Sequence, residues 1–243
     1  MSELTGNSEA LQSASGRADD EAELVRIEGW LPPLLSVIAG MVDLIGFFIL
    51  GNIFTAHITG NLVLATGAVV RGGPLNVAQA LAIPVFMIAV GAVWLIAEAS
   101  HRRGRALARL LLLIQFLLLA AILIFSVITR PSASPHGLMA GIAAMIAVAA
   151  MACQYALLRL AIPGAISTAV MTGNLTNTIL SLMDMFAAGK PSMTADADRL
   201  KRSLHLLVGF LVGCFVAAAA VSMLDEWAWA FPAVLAALAV VIR

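Results

Sequence analysis

The feature that most limits what this chain can become is the alternation of charge-free apolar runs with short charged islands. Of its 28 ionised side chains, nine lie in residues 1–29, five in 98–109 and seven in 184–202, leaving seven for everything else. The apolar runs between the islands are 17 to 25 residues long, enough at about 1.5 Å per residue to cross a hydrocarbon core of roughly 30 Å. A soluble domain is about 45–50% apolar and about 25% charged, whereas this chain is 61% and 12%. The pattern predicts an all-α polytopic membrane protein whose first partner is the lipid bilayer. A net charge of zero, with basic residues confined to short loops, argues against a nucleic-acid partner. Cys153 and Cys214 sit inside apolar runs and form no CxxC or Cys/His cluster, so neither a disulfide framework, a metal site nor a cofactor is indicated.

Residues 1–29 are polar and acidic, with no basic segment followed by an apolar one, and read as a disordered cytoplasmic tail rather than a targeting signal. Asp19–Glu28 could form a short surface helix entering the membrane at Trp30. Residues 30–242 read as a single transmembrane domain. Six apolar runs are long enough for full spans: about 31–52, 79–99, 109–129, 137–159, 204–223 and 226–242. Two more, 54–70 and 163–184, carry the triplets Thr59-Gly60-Asn61 and Thr172-Gly173-Asn174, and beyond the first triplet only Leu62–Val70 is strongly apolar, about half a membrane of helix. If both triplet segments dip in and return, and the N-terminus is cytoplasmic, twelve Lys and Arg lie inside and two outside. Eight full crossings give nine against five. The positive-inside rule therefore favours six transmembrane helices plus two broken or re-entrant segments, with both termini cytoplasmic.

The triplet's surroundings recur with it. AGMVDLIGFFILGNIFTAHITGNLV and AMACQYALLRLAIPGAISTAVMTGNLT each place a span, a Gly- or Pro-containing break, a Thr-bearing approach and Thr-Gly-Asn-Leu in that order. The following spans echo each other around Gly91 and Gly213. Repeat one then covers about 30–129 and repeat two about 136–242, and three crossings per half make the two repeats inverted, a plan shared by many channels and secondary transporters. Gly40-x-x-Asp43 with Gly46-Phe47, and Phe54-x-x-x-Ile58-Thr59-Gly60-Asn61, resemble the signature of the bacterial YoaK-like family, domain of unknown function 1275. Met151-Ala152-x-Gln154-x-Ala156-x-x-Arg159 and Met171-Thr172-Gly173-Asn174-Leu175-Thr176 are similar to that family's second signature, with Tyr155 standing where its pattern usually carries Asn. The resemblance spans about residues 30–242. It implies a multi-pass membrane architecture and brings no activity with it.

Asp43 is the most informative single residue. It lies near the middle of the first span, where a carboxylate costs about 2.5–3.5 kcal/mol to insert and needs protein, water or a partner. It reads as a proton or cation site, or as a structural carboxylate held by Ser, Thr or Asn. Arg159 ends its span and either snorkels to the interface or pairs with Asp43 or an anionic solute. Gln154 occupies roughly the position of Asp43 in the second half. The triplets suit a solute path: Thr brings a hydroxyl, Gly allows close backbone approach, and Asn both donates and accepts. Small polar residues also serve as helix-packing contacts, and that reading stays open. His57 could titrate near neutral pH, but reads first as a hydrogen-bonded residue near the interface. No HExxH, GxSxG or Walker A motif and no paired carboxylates occur, so an enzyme is not expected. The leading expectation is a small-solute transporter or channel of the bacterial inner membrane, with a proton or cation coupled through Asp43. The alternative is a membrane component acting through a protein or lipid partner. Self-association is left open.

Overall fold

A computed structural model of the protein describes residues 29–73, 76–162, 165–168, 171–186 and 193–242; the expectations for the N-terminal tail fall outside them. Among the described residues the fold is built from helices with no strand: α1 (Gly29–Ile49), α2 (Ile58–Val70), α3 (Val77–Ala99), α4 (Gly104–Thr129), α5 (Leu138–Ala161), α6 (Met171–Phe186), α7 (Met193–Leu224) and α8 (Ala230–Val241). Short 3₁₀ turns occupy Pro131–Ala133 and Asp225–Trp229. Five helical stretches, α1, α3, α4, α5 and the one from Ala197 through Val241, are long and apolar enough to cross a membrane.

The helices are unequally buried, and that inequality defines the architecture. Most of α1 and α5 lies inside the protein, while α3, α4 and α7 turn most of their apolar surface outward. The two helices that open the candidate repeats are therefore the core. α5 packs against α3 and α4, α4 also against α8, and α2 and α6 lie on α3 and α7 respectively. α1 and α7 approach so closely that a Cβ on Gly40 would fall 2.2 Å from the Phe210 carbonyl oxygen, and one on Gly213 2.2 Å from that of Val37. Gly209, one turn before Gly213, faces the Pro33 carbonyl in the same way. This Gly-xxx-Gly face lets two backbones touch, as small residues do where helices meet in membranes. Gly91, its counterpart by sequence echo, has open space where its Cβ would be, so the echo does not extend to the packing.

After α1 the chain turns at Gly51 and Asn52, both left-handed with φ of 77° and 59°. A Cβ on Gly51 would also meet the Pro135 carbonyl at 2.5 Å, so this corner needs glycine twice over. The chain then runs back along α1 without helical structure, starts α2 at Ile58, and returns to the corner. There Asn76 Nδ2 donates to the Gly51 carbonyl at 2.8 Å and Gln79 Nε2 to the Asn52 carbonyl at 3.0 Å. The segment thus leaves and rejoins at one end of α1.

Two sequence boundaries are corrected. Thr59-Gly60-Asn61 and Thr172-Gly173-Asn174 do not interrupt their segments but lie in the first turns of α2 and α6, the breaks coming before them. The run 226–242 is not one helix. Asp225 is left-handed at φ 46°, the 3₁₀ turn follows, and α8 is 12 residues, about 18 Å, with Pro232 in its first turn where a missing N–H costs nothing. Ser132 donates to Glu226 from its hydroxyl and, at 3.3 Å, from its backbone N–H, joining the α4–α5 corner to the α7–α8 corner.

Candidate functional site

The first break owes its shape to one carboxylate. Asp43 lies fourteen residues into α1 and is 4% exposed. Its Oδ1 accepts the backbone N–H of Thr55 at 2.7 Å and of Ala56 at 2.8 Å, with the His57 N–H and the Thr55 hydroxyl farther off at 3.5 Å. Its Oδ2 lies 2.6 Å from His57 Nδ1. Successive N–H groups ahead of a helix start form a pocket for negative charge, and the N-terminal end of α2 adds to it. Asp43 thus closes the break across twelve to fourteen residues of sequence, and its ionic partner is His57. Arg159, the partner weighed from sequence, is exposed at the C-terminal end of α5 and has no ion pair with Asp43.

The second break, among its described residues, is held from the preceding core helix by an amide in place of the carboxylate. Gln154 Nε2 donates to the Thr168 hydroxyl at 3.3 Å and to the Leu35 carbonyl at 2.9 Å, and Gln154 Oε1 accepts from Gln115 Nε2 at 2.7 Å. Thr168 stands to Gln154 as Thr55 stands to Asp43. The asparagines match too: Asn61 Nδ2 donates to the Phe54 carbonyl at 2.6 Å, and Asn174 Nδ2 to the Ser167 carbonyl at 3.0 Å, each seven residues back. Asn61 Oδ1 also accepts the Phe54 N–H at 2.8 Å. In both triplets Thr is exposed, Gly half-buried and Asn buried. Thr59 and Thr172 therefore point away from the asparagines, which tie each helix start to its own approach strand.

α5 joins the two breaks. Gln154 reaches the second, and the adjacent Tyr155 donates its hydroxyl to the Ala56 carbonyl at 3.0 Å in the first. The residue that departs from the expected Asn is thus itself the polar bridge.

Beside Asp43 and His57 lies a cavity of about 580 Å³. Phe47, Phe54, Phe210 and Cys214 wall it, with Thr59 and Gly60 at the α2 start. None of its lining comes from Gly173 or Asn174. Phe47 and Phe54 have ring centroids 5.3 Å apart, and His57 meets Phe210 edge-on at 5.2 Å. The arrangement can hold a charge, exchange a proton at His57 and seat an apolar body against its open side. Sequence spacing had no means of placing Phe210 and Cys214 there, more than 150 residues from His57. The other thiol, Cys153, is buried and donates to the Leu111 carbonyl at 3.2 Å, a packing role.

The family model described as "Protein of unknown function (DUF1275)" matches residues 31–242 of the chain. No curated protein and no solved structure matches it.

Proposed function

Since the chain belongs to the DUF1275 family, whose description names no activity, we propose from its site alone that it is a small-solute transporter or channel of the bacterial inner membrane. The observation that carries this reading is the Asp43–His57 pair, 2.6 Å apart, deep along a buried helix and beside a cavity. An ionisable group inside a membrane is costly and is kept there by function more often than by packing. His57 supplies a proton acceptor that reaches the cavity while Asp43 does not leave its backbone cradle. Coupling then runs through a proton at this pair, and no covalent chemistry is assigned to the protein.

The proposed topology has six crossings, two re-entrant segments and both termini in the cytoplasm. The bonds joining Asn76 and Gln79 to the Gly51–Asn52 corner support re-entry of the first segment. The Ser132–Glu226 contact supports a common side for the corners after α4 and α7. The matching bonds of Asn61 and Asn174 support an internal repeat, and three crossings per half would invert it. Cysteine labelling should reach positions beside Arg103 and Lys201 from the same face; labelling from opposite faces would remove the inverted plan.

A second reading has its own support. Asn61, Gln154 and Asn174 are buried and bonded to backbone or to each other's neighbours, as they would be in a membrane component that only packs against a partner. Purified protein in liposomes carrying an internal pH dye, challenged with a solute panel under an imposed proton gradient, separates the two. Solute-dependent proton movement supports transport; none across the panel, from protein that remains folded, supports the packing role.

A further inference from the structure

The cavity beside Asp43 also limits what it can bind. At about 580 Å³ it falls within the range of sites for drug-sized molecules. Asp43 is the one acidic side chain among its lining residues, and Phe47, Phe54 and Phe210 surround it with aromatic wall. Phe48 and Phe215, next in sequence to the lining residues Phe47 and Cys214, are 57% and 69% exposed, and Leu62, two residues beyond Gly60, is 53% exposed, so α1, α2 and α7 each carry exposed apolar side chains next to the residues that line the cavity.

Four ligand classes can be weighed against those walls. An anion would meet a carboxylate, and the lining has no lysine or arginine and only His57, already paired with Asp43, as a candidate cation. A small inorganic cation would need about six oxygen ligands to replace its water, and the lining side chains offer only Asp43 and the Thr59 hydroxyl. A neutral apolar solute would gain nothing from the charge. An organic cation with an apolar body gains both from the carboxylate and from the ring faces, which attract cations by about 0.5–2 kcal/mol each. Three of the roughly four acceptor positions of Asp43 are already filled by Thr55, Ala56 and His57 and the residue is 4% exposed, so charge and shape weigh more in the ligand than a donor.

The geometry points to a lipophilic organic cation as the ligand of this cavity, entering sideways from the bilayer between α1, α2 and α7. This rests on reading the Asp43–His57 pair as part of a solute path. Protonating His57 puts a positive charge against Asp43 and cancels the attraction, so ligand and proton compete. The other titratable side chains around His57 are Cys214 of α7 and Tyr155 of α5, whose hydroxyl holds the preceding residue's carbonyl; Asp43 of α1 is its ionic partner.

The test is equilibrium binding of radiolabelled tetraphenylphosphonium to the full chain in nanodiscs, without a gradient, across the pH range in which histidine titrates. Saturable binding that weakens as pH falls is expected. Asp43→Asn should weaken it at least about tenfold, and His57→Gln should bind while losing the pH dependence. Phe210→Ala, which leaves the charged pair intact, should weaken binding about fivefold and stands in if Asp43→Asn fails to fold. Equal binding of anionic tetraphenylborate or neutral triphenylphosphine would overturn the inference and mark the cavity as an acyl-chain slot. So would binding that ignores both Phe210→Ala and Asp43→Asn. Proton-coupled flux of other solutes with no tetraphenylphosphonium binding would overturn this ligand class and leave the transport reading standing. Binding without any flux would support the site while removing transport.

Discussion

The two breaks share a plan and differ in chemistry. In each, a polar side chain on the preceding core helix holds a threonine of the break, and a triplet asparagine clamps the backbone seven residues back. The first uses a carboxylate and a histidine beside a cavity; the second uses an amide fixed by Gln115, Leu35 and Thr168. The shared part is what buried non-helical backbone needs in order to satisfy its polar groups. The unshared part is the carboxylate–histidine pair, which among the described residues belongs to the first break; beside the second, Ala165 and Ile166 share a small pocket with Arg202 and His205. The difference teaches that a break can be held by an amide, as Gln154 holds the second, whereas the backbone N–H groups of the first converge on a carboxylate.

The largest effect should therefore come from removing the carboxylate altogether. Asp43→Ala leaves the Thr55 and Ala56 N–H groups and His57 without their acceptor. Breaking a buried pair typically costs about 3–5 kcal/mol, with the lower end expected here because a third of the His57 side chain is exposed. Gln154→Ala removes neutral bonds only, and about 1–3 kcal/mol is expected. Thermal stability of the two variants in the same detergent checks the order, and equal losses would mean that the charge adds nothing to the first break.

How much of this was legible in the sequence varies with the range of the interaction. The apolar runs located α1, α3, α4 and α5 to within a few residues, because hydrophobic length is a local property. Asp43 and the triplets stood out for the same reason. The start of α2 at Ile58 did not, since Thr59 and Gly60 are weak helix formers and the segment leading into the helix, Thr55 to His57, is held by a carboxylate on another element. The His57 partnership depends on the chain folding back on α1, and the aromatic wall depends on α7 arriving from the other half. The turn at Asp225 falls in the gap between the runs 204–223 and 226–242, whereas the 3₁₀ turn that takes up the start of the second run left no mark in its composition.

The helix contacts give the next comparison. Gly213→Ala would drive a methyl into the Val37 carbonyl of α1, and overpacking of this kind typically costs about 1–3 kcal/mol. Gly91→Ala meets nothing and should be neutral or add about 0.5–1 kcal/mol through helix propensity. Melting curves that shift equally for both would show that the α1–α7 approach is looser than described. The smallest effect is expected from the first asparagine. Asn61→Ala loses a donor and an acceptor contact to Phe54, and about 1–3 kcal/mol is expected. Protease susceptibility of the first break, read by cleavage mapping in detergent, should rise in this variant; no rise would mean that the asparagine does not hold the break.

The role of the carboxylate that marks the first break is tested most directly by Asp43→Asn, which keeps size and most hydrogen bonding while abolishing the ionic partner of His57. Stability and proton-coupled uptake would be measured on one preparation in liposomes. We expect a folded protein, no less stable than Gln154→Ala, whose uptake is lost or reduced at least about tenfold and whose remaining activity no longer varies with pH. A variant that is stable, fully active and unchanged in its pH response would contradict a working role for the Asp43–His57 pair.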